Sequence, residues 1–217
     1  MSGALRSLLS LCAHMLWPVS CPVCGAMGEV ICEPCLTPLL KPPPPRCLEC
    51  GEPVPCKLHR GGGRIYSAGL YEGGLREAVL MLKGKYRVMG ARLGRACARV
   101  LVRPDADLLV PVPLHLDSPR RYNQALVIAE ALGRAWDIEA LPAARWTKDA
   151  PSRSGMSAAQ REALTPDFFA FDSVAGARIA LVDDVCTTGS TLSRLAEAAR
   201  GAGADVPAAF TVAQTPY

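Results

Sequence analysis

Residues 179–191 read IALVDDVCTTGST, and this stretch decides the fold. Ile179, Ala180, Leu181 and Val182 have the length and composition of a buried parallel strand. Asp183 and Asp184 stand at the C-terminal end of that strand, and a small-residue turn, Thr187-Thr188-Gly189-Ser190-Thr191, follows. Leu192, Leu195, Ala196 and Ala199 then recur at helical spacing. A hydroxyl- and glycine-rich turn opening a helix attracts a phosphate through its backbone N–H groups. Carboxylates one step earlier accept hydrogen bonds from sugar hydroxyls or help hold a divalent metal. The pattern therefore predicts a site for a phosphorylated sugar, with Asp183 and Asp184 as the candidate sugar-hydroxyl or metal ligands and Thr187, Thr188, Gly189, Ser190 and Thr191 as the phosphate cradle. An isolated acidic pair before a turn is commonly an N-cap plus a solvated charge. Here the apolar run before it and the TTGST turn after it favour the ligand reading. A Walker A loop is the rival phosphate cradle, and no G-x-x-x-x-G-K-[ST] occurs in the sequence.

Outward from this stretch the chain alternates strands and helices from about residue 64. Residues 65–71 read as a first strand, 75–82 and 88–101 as helices, and 107–113 (DLLVPVP) as a buried strand ended by its prolines. A helix over 122–136 puts Ala125, Ile128, Ala129 and Leu132 on one face, and 206–212 reads as a final strand after the central one at 179–183. Such alternation predicts an α/β fold with an open, mostly parallel sheet and ligands at the C-terminal strand ends.

Three further groups point at that edge. Arg120-Arg121-Tyr122-Asn123-Gln124 enters a helix, where cations are disfavoured by the helix dipole unless an anion sits there. Two guanidiniums can hold pyrophosphate oxygens through bidentate hydrogen bonds. Lys83 ends the 75–82 helix at a glycine; a C-terminal Lys is ordinary helix chemistry, so its signal is weak alone. Residues 145–166 (RWTKDAPSRSGMSAAQREALTP) are polar and basic, a composition that suits either a lid over an anion or a disordered insertion.

The N-terminal part carries different chemistry. Eight of the ten cysteines lie at or before position 56, and four knuckles follow one another: Cys21/Cys24, Cys32/Cys35, Cys47/Cys50 and Cys56/His59. Each C-x-x-[C/H] knuckle places two soft ligands on one turn, and two knuckles complete a tetrahedral site with no open position. The expectation is two structural zinc ions, paired sequentially, with an interleaved pairing as the alternative; a disulfide scaffold would need an oxidising compartment. Gly25 and Gly51, directly after second cysteines, suit the tight turns of ligand loops. His59 in place of a thiolate makes the second site the less secure one. The run Pro42-Pro43-Pro44-Pro45 between the two sets is a stiff spacer. Cys12 and Cys97 read as core residues, and Cys186 as a small packing residue in the phosphate turn.

With 217 residues, half of them apolar, the chain can hold one medium domain and a small appendage. The net charge is only +4, yet residues 57–103 carry eleven Lys/Arg against two acids, Glu72 and Glu77. That excess suits a polyanion-facing surface, though a solvated helix face explains most of it equally well. Residues 5–17 are apolar but lack a small-residue cleavage site and are too short to span a bilayer. They read as a short helix, and the chain as cytoplasmic with no membrane span. The expected domains are an N-terminal helix at 1–17, a double zinc ribbon at 18–62 and the strand–helix domain at 63–217.

These motifs together resemble the ComF family of competence-associated proteins, in which an N-terminal zinc ribbon is joined to a type I phosphoribosyltransferase domain. The resemblance runs from about Pro18 onward and rests on CPVCG, CLECG at 47–51, LKGKYR at 82–87, PVP at 111–113, RRYNQA at 120–125, the RWT…SRSGMSAAQR loop and LVDDVCTTGST. It implies a type I phosphoribosyltransferase-like fold that binds phosphoribosyl pyrophosphate, or a related phosphorylated ribose, with Mg²⁺. Asp183 and Asp184 would meet the ribose hydroxyls directly or through Mg²⁺. Thr187 to Thr191 would hold the 5′-phosphate, and Arg120, Arg121 and Lys83 the pyrophosphate. It also implies single-stranded DNA handling during DNA uptake, with DNA and a competence helicase as partners. The acceptor is open, and so is the alternative of a non-catalytic nucleic-acid-binding module that keeps the fold.

Overall fold

A computed structural model describes residues 21, 23–27, 31–84, 86–115, 117–147 and 165–216. The expected helix at 1–17 and most of the expected basic loop, 148–164, lie outside the described residues. The chain divides into two compact units, Met1–Leu39 and Leu40–Tyr217. The division falls at 39/40 and not at 62/63, so the second cysteine set belongs to the same unit as the sheet. Composition groups the two knuckle sets together; packing separates them, because Cys47 and Leu48 are buried and Leu48 joins the cluster around the sheet.

In the smaller unit the described residues hold a short α-helix, α1 (Glu33–Leu36), which starts directly after Cys32 and runs on into a 3-10 turn at Thr37–Leu39. The larger unit is built in the order β1 (Arg46–Cys47), β2 (Arg64–Leu70), α2 (Gly73–Lys83), α3 (Arg87–Val100), β3 (Leu108–Pro111), α4 (Gln124–Trp136), β4 (Glu139–Ala140), β5 (Ala144–Trp146), β6 (Phe169–Phe171), β7 (Arg178–Cys186), α5 (Ser190–Gly201) and β8 (Asp205–Gln214). Six strands form one sheet in the order β1-β2-β8-β7-β3-β4, and β5 pairs with β6 apart from it. Only the short β1 runs antiparallel to its neighbour; β2–β8, β8–β7, β7–β3 and β3–β4 are all parallel. This is the open, mostly parallel sheet that the alternating pattern predicts.

Both faces of the sheet are covered, which is why β7 reads as a continuous apolar run. Ile179 and Leu181 point to one face and join Leu192, Leu195, Ala196 and Ala199 of α5 in a single buried cluster. Ala180 and Val182 alternate to the other face and are equally buried. On the helical layer, α3 approaches α4 closely enough that small residues are required. A Cβ on Gly94 would sit 2.5 Å from Ala131 Cβ and 2.9 Å from Ile128 O, and one on Gly90 would meet Val127 at 2.7 Å.

The central strand is longer than the apolar run suggests. Asp183 pairs with Thr211, Val185 with Ala213 and Cys186 with Gln214, so the acidic pair lies inside the ladder and the turn begins only after Cys186. Helix α4 begins at Gln124, two residues later than the apolar spacing implies, because Asn123 is its cap.

The α3–α4 contact gives a direct test. Gly94→Val should overpack this interface and cost about 2 kcal/mol, the middle of the range for inserted methyl groups. A denaturant midpoint unchanged from the parent would contradict the close approach.

Candidate functional site

The acidic half of the site is built by β7. Successive residues of a strand alternate faces, so Asp183 and Asp184 point to opposite sides of the sheet. Asp183 Oδ1 accepts the Asp184 N–H at 2.8 Å. Asp184 is buried, and its Oδ1 lies 3.3 Å from Lys83 Nζ at the C-terminal end of α2. The same ammonium stands 5.9 Å from the centre of the Tyr71 ring. A buried carboxylate needs such a partner, since an unpaired one would lose its hydration without return.

The turn after β7 then leads into α5. Gly189 is the N-cap residue, with φ 83°, and the first helical N–H, of Ser190, meets Thr188 Oγ1 at a long 3.4 Å. A left-handed residue just before a helix curls successive peptide N–H groups toward one side, an arrangement that accepts anions. Thr188 Oγ1 and Ser190 Oγ are 2.7 Å apart and add hydroxyl donors to the same rim. Burial raises the Cys186 thiol to about 11, so it stays a neutral packing group beneath the turn.

The opposite wall comes from the segment between β3 and α4. Asn123 accepts the N–H groups of Ala125 and Leu126 at 3.0 and 3.4 Å and donates to Val112 O at 2.9 Å, which locks the loop onto the end of β3. Tyr122 donates its hydroxyl to Leu82 O, tying this loop to the helix that carries Lys83. Arg120 donates to Gln124 Oε1 at 3.2 Å. Buried His115 packs on Trp146 with ring centres 4.9 Å apart.

These walls enclose a cleft of about 660 Å³ lined by Lys83, Arg120, Asp183, Asp184 and the whole 187–191 turn. All but one of the sequence-derived residues of the sugar-phosphate site thus converge. The exception is Arg121, which is exposed and absent from the cleft wall. Lys83 sits in the acidic half, against Asp184. The cleft lies where chain connections diverge: from β3 the chain passes through α4 to β4 on one side, and from β7 through α5 to β8 on the other. Such switch points are where open α/β sheets bind ligands.

Sequence reasoning missed Asn123, Tyr122 and His115. Asn immediately before an apolar helix is a readable cap signal; the other two have no local signature.

The cysteine sets assemble as two separate four-ligand groups, Cys21/Cys24/Cys32/Cys35 and Cys47/Cys50/Cys56/His59, each with all ligand atoms within 4.8 Å of one another. The sequential pairing is the one that forms. Separations within the sets include 3.5 Å for Cys24–Cys32, 3.6 Å for Cys50–Cys56 and 3.6 Å for Cys56 Sγ–His59 Nδ1. A tetrahedron with Zn–S bonds of about 2.3 Å has edges of about 3.8 Å, so both sets fit that ion. Gly25 and Gly51 both adopt positive φ, 74° and 76°, as the knuckle turns require. In the second set, the backbone N–H of His59 draws the Cys56 thiol down to about 6, so one thiolate is ready at neutral pH. Metal analysis of the intact chain should return about two zincs per chain; one or none would contradict the paired-knuckle centres.

No protein-family model matches the chain. Among curated proteins it is similar to Competence protein F of Haemophilus influenzae, with 35% identity over 106 residues that make up 46% of this chain and 46% of that protein. The match thus spans less than half of the relative's length. Among solved structures, the allosteric regulatory enzyme of purine biosynthesis aligns with 24% identity over 55% of this chain and 25% of its own, at a TM-score of 0.38. A purine phosphoribosyltransferase from Pyrococcus horikoshii Ot3 aligns with 17% identity over 65% of this chain and 83% of its own, at a TM-score of 0.32.

Proposed function

We propose, taking as premise the ComF-type family that the motifs and the curated relative support, that the β3/β7 cleft binds phosphoribosyl pyrophosphate with Mg²⁺. The observation that carries this reading is the convergence, at one switch point, of an anion-accepting turn, an acidic pair and two cations. The 5′-phosphate would rest on the 187–191 turn, where the N-terminus of α5 adds its dipole. Asp183 and Asp184 would accept the ribose hydroxyls. A carboxylate of this pair would also offer an oxygen to Mg²⁺, a hard cation, which when bound would neutralise pyrophosphate charge. Arg120 would hold the pyrophosphate through its fork of donors. Lys83 reaches the same region from α2 while it balances Asp184. Arg121 would reach a ligand only from outside the cleft wall.

In a transferase, attack at the sugar C1′ passes through a cationic ribose, and fixed carboxylates beside it lower that barrier electrostatically. Asp183 and Asp184 would take this role. The acceptor would enter from the side of Val112 to His115, across the cleft from the 187–191 turn.

Isothermal calorimetry with phosphoribosyl pyrophosphate and Mg²⁺ tests the reading. The parent chain should bind, and Asp183→Asn with Asp184→Asn should weaken binding at least tenfold, since each charge-assisted hydrogen bond lost is worth roughly 1.5–3 kcal/mol. Absent binding, or binding unchanged in the double variant, would sink it.

A second reading, nucleic-acid binding in competence-related DNA uptake, is favoured by one further observation. Arg87, Arg95 and Arg99 of α3 and the following Arg103 are all exposed, and exposed Tyr86 and Val88 flank them. Guanidiniums with a neighbouring aromatic ring suit a single strand's phosphates and bases. Four such contacts should give single-stranded DNA binding a log–log salt slope of roughly −3. Binding insensitive to salt would count against it.

A further inference from the structure

The second cysteine set is fastened to the phosphate turn, and neither its closed ligand shell nor the cleft accounts for that connection. Arg46 immediately precedes the ligand Cys47, and its side chain is buried. Its guanidinium donates to Thr187 O and to Thr215 O, both at 2.5 Å. Thr215 Oγ1 also donates to Thr187 O, at 3.2 Å. The carbonyl of Thr187 is therefore held by two donors at once, Arg46 and Thr215.

The neighbouring peptide rests on the same knuckle. Gly51, the residue after Cys50, lies so close to the turn that a Cβ there would fall 1.9 Å from Thr188 O. A Cβ on Gly189 would stand 3.3 Å from Gly51 Cα. In a trans peptide the N–H points opposite to the C=O. With the carbonyls of Thr187 and Thr188 turned toward the knuckle, the N–H groups of Thr188 and Gly189 turn away from it, to the side where an anion would sit. Further along, Ser193 of α5 donates to Glu49 O at 2.8 Å, and Arg200 grips the Glu49 carboxylate at 2.8 and 2.9 Å. Helix and turn are thus both pinned to the segment between Cys47 and Cys50.

That segment in turn depends on its ligands. Lys57, Leu58, His59 and Arg60 are exposed, so little apolar burial holds the loop that closes the four-ligand set. A metal joining Cys47 and Cys50 to Cys56 and His59 would fix the knuckle on which the two carbonyls lean.

We propose that the Cys47/Cys50/Cys56/His59 centre and Arg46 form a positioning device for the phosphate turn, so that metal occupancy there sets the turn's affinity for a phosphomonoester. The ligand class rests on the function proposed above; the mechanical coupling does not. Arg46 is a positioning residue, acting through the Thr187 carbonyl and never touching the ligand. By linkage, ligand and metal must strengthen each other's binding by the same factor.

The test uses the full zinc-loaded chain, with ribose 5-phosphate as the probe and three readouts: ligand affinity, zinc affinity by chelator competition, and amide hydrogen exchange over 187–191. His59→Ala should lose one zinc, speed exchange over 187–191 and bind ribose 5-phosphate about tenfold more weakly, within the usual range of coupling between sites. In the parent, saturating ribose 5-phosphate should raise zinc affinity at the second centre by the same factor. Arg46→Ala should keep both zincs yet lose that mutual enhancement, and Arg46→Lys should restore part of it; a purely structural arginine would give no such split. If Arg46→Ala does not fold, the parent and His59→Ala still decide. Exchange over 187–191 unaffected by loss of the second zinc would overturn the coupling. A parent chain that does not bind ribose 5-phosphate would instead overturn the assigned ligand, with the exchange readout alone then judging the coupling.

Discussion

Residues Leu108 to Pro111 pair in parallel with Ile179 to Val182, and the chain leaves these two strands in opposite directions along the sheet. Two adjacent parallel strands whose connections part in this way leave a gap at their C-terminal ends that no helix can fill. Each part of the cleft follows from that gap. The loop after β3 brings Arg120 and the Asn123 cap, the end of β7 itself brings the acids, and the turn after it leads into α5. The dense packing beneath, where Ile179 and Leu181 meet α5 and Gly94 meets Ala131, keeps both strand ends at fixed separation.

Charge is distributed across the gap in a way that suits a ligand both anionic and hydroxylated. Lys83 and Asp184 balance each other at 3.3 Å, so Asp184 is not an uncompensated buried carboxylate. Arg120 leans on Gln124 at the cleft wall. The phosphate turn carries no formal charge; its attraction is that of peptide dipoles whose directions must be held. The Arg46 side chain and the Cys47–Gly51 knuckle hold them, which ties a metal-ligand motif to a ligand turn that follows some 140 residues later in the chain.

Much of this was legible in the sequence where signals were long and periodic. The run of four apolar residues before Asp183 marked the central strand, and the repeat through Leu192, Leu195, Ala196 and Ala199 marked α5. The knuckle spacing gave both four-ligand sets with their sequential pairing. Short elements were not legible: β1, β4, β5 and β6 have two or three residues each, too few to show a period. The extension of β7 to Cys186 was hidden because its acids break the apolar run, although the ladder with β8 continues. Arg46 was invisible for a different reason. Its partners, Thr187 and Thr215, are 141 and 169 residues distant, and an arginine between a proline run and a cysteine looks like any surface cation. Arg121 shows the converse: an adjacent pair of arginines suggests a shared role, yet only Arg120 reaches the cleft wall.

The central claim is that the β3/β7 switch point is where a phosphorylated ribose sits. Amide chemical-shift mapping with ribose 5-phosphate tests it most directly. The account expects the largest shifts at Thr187 to Thr191, with smaller ones at Asp183, Asp184 and the 112–125 wall, and little change on the exposed face of α3. Shifts concentrated on α3 or around the cysteine sets, with the 187–191 amides unmoved, would contradict it.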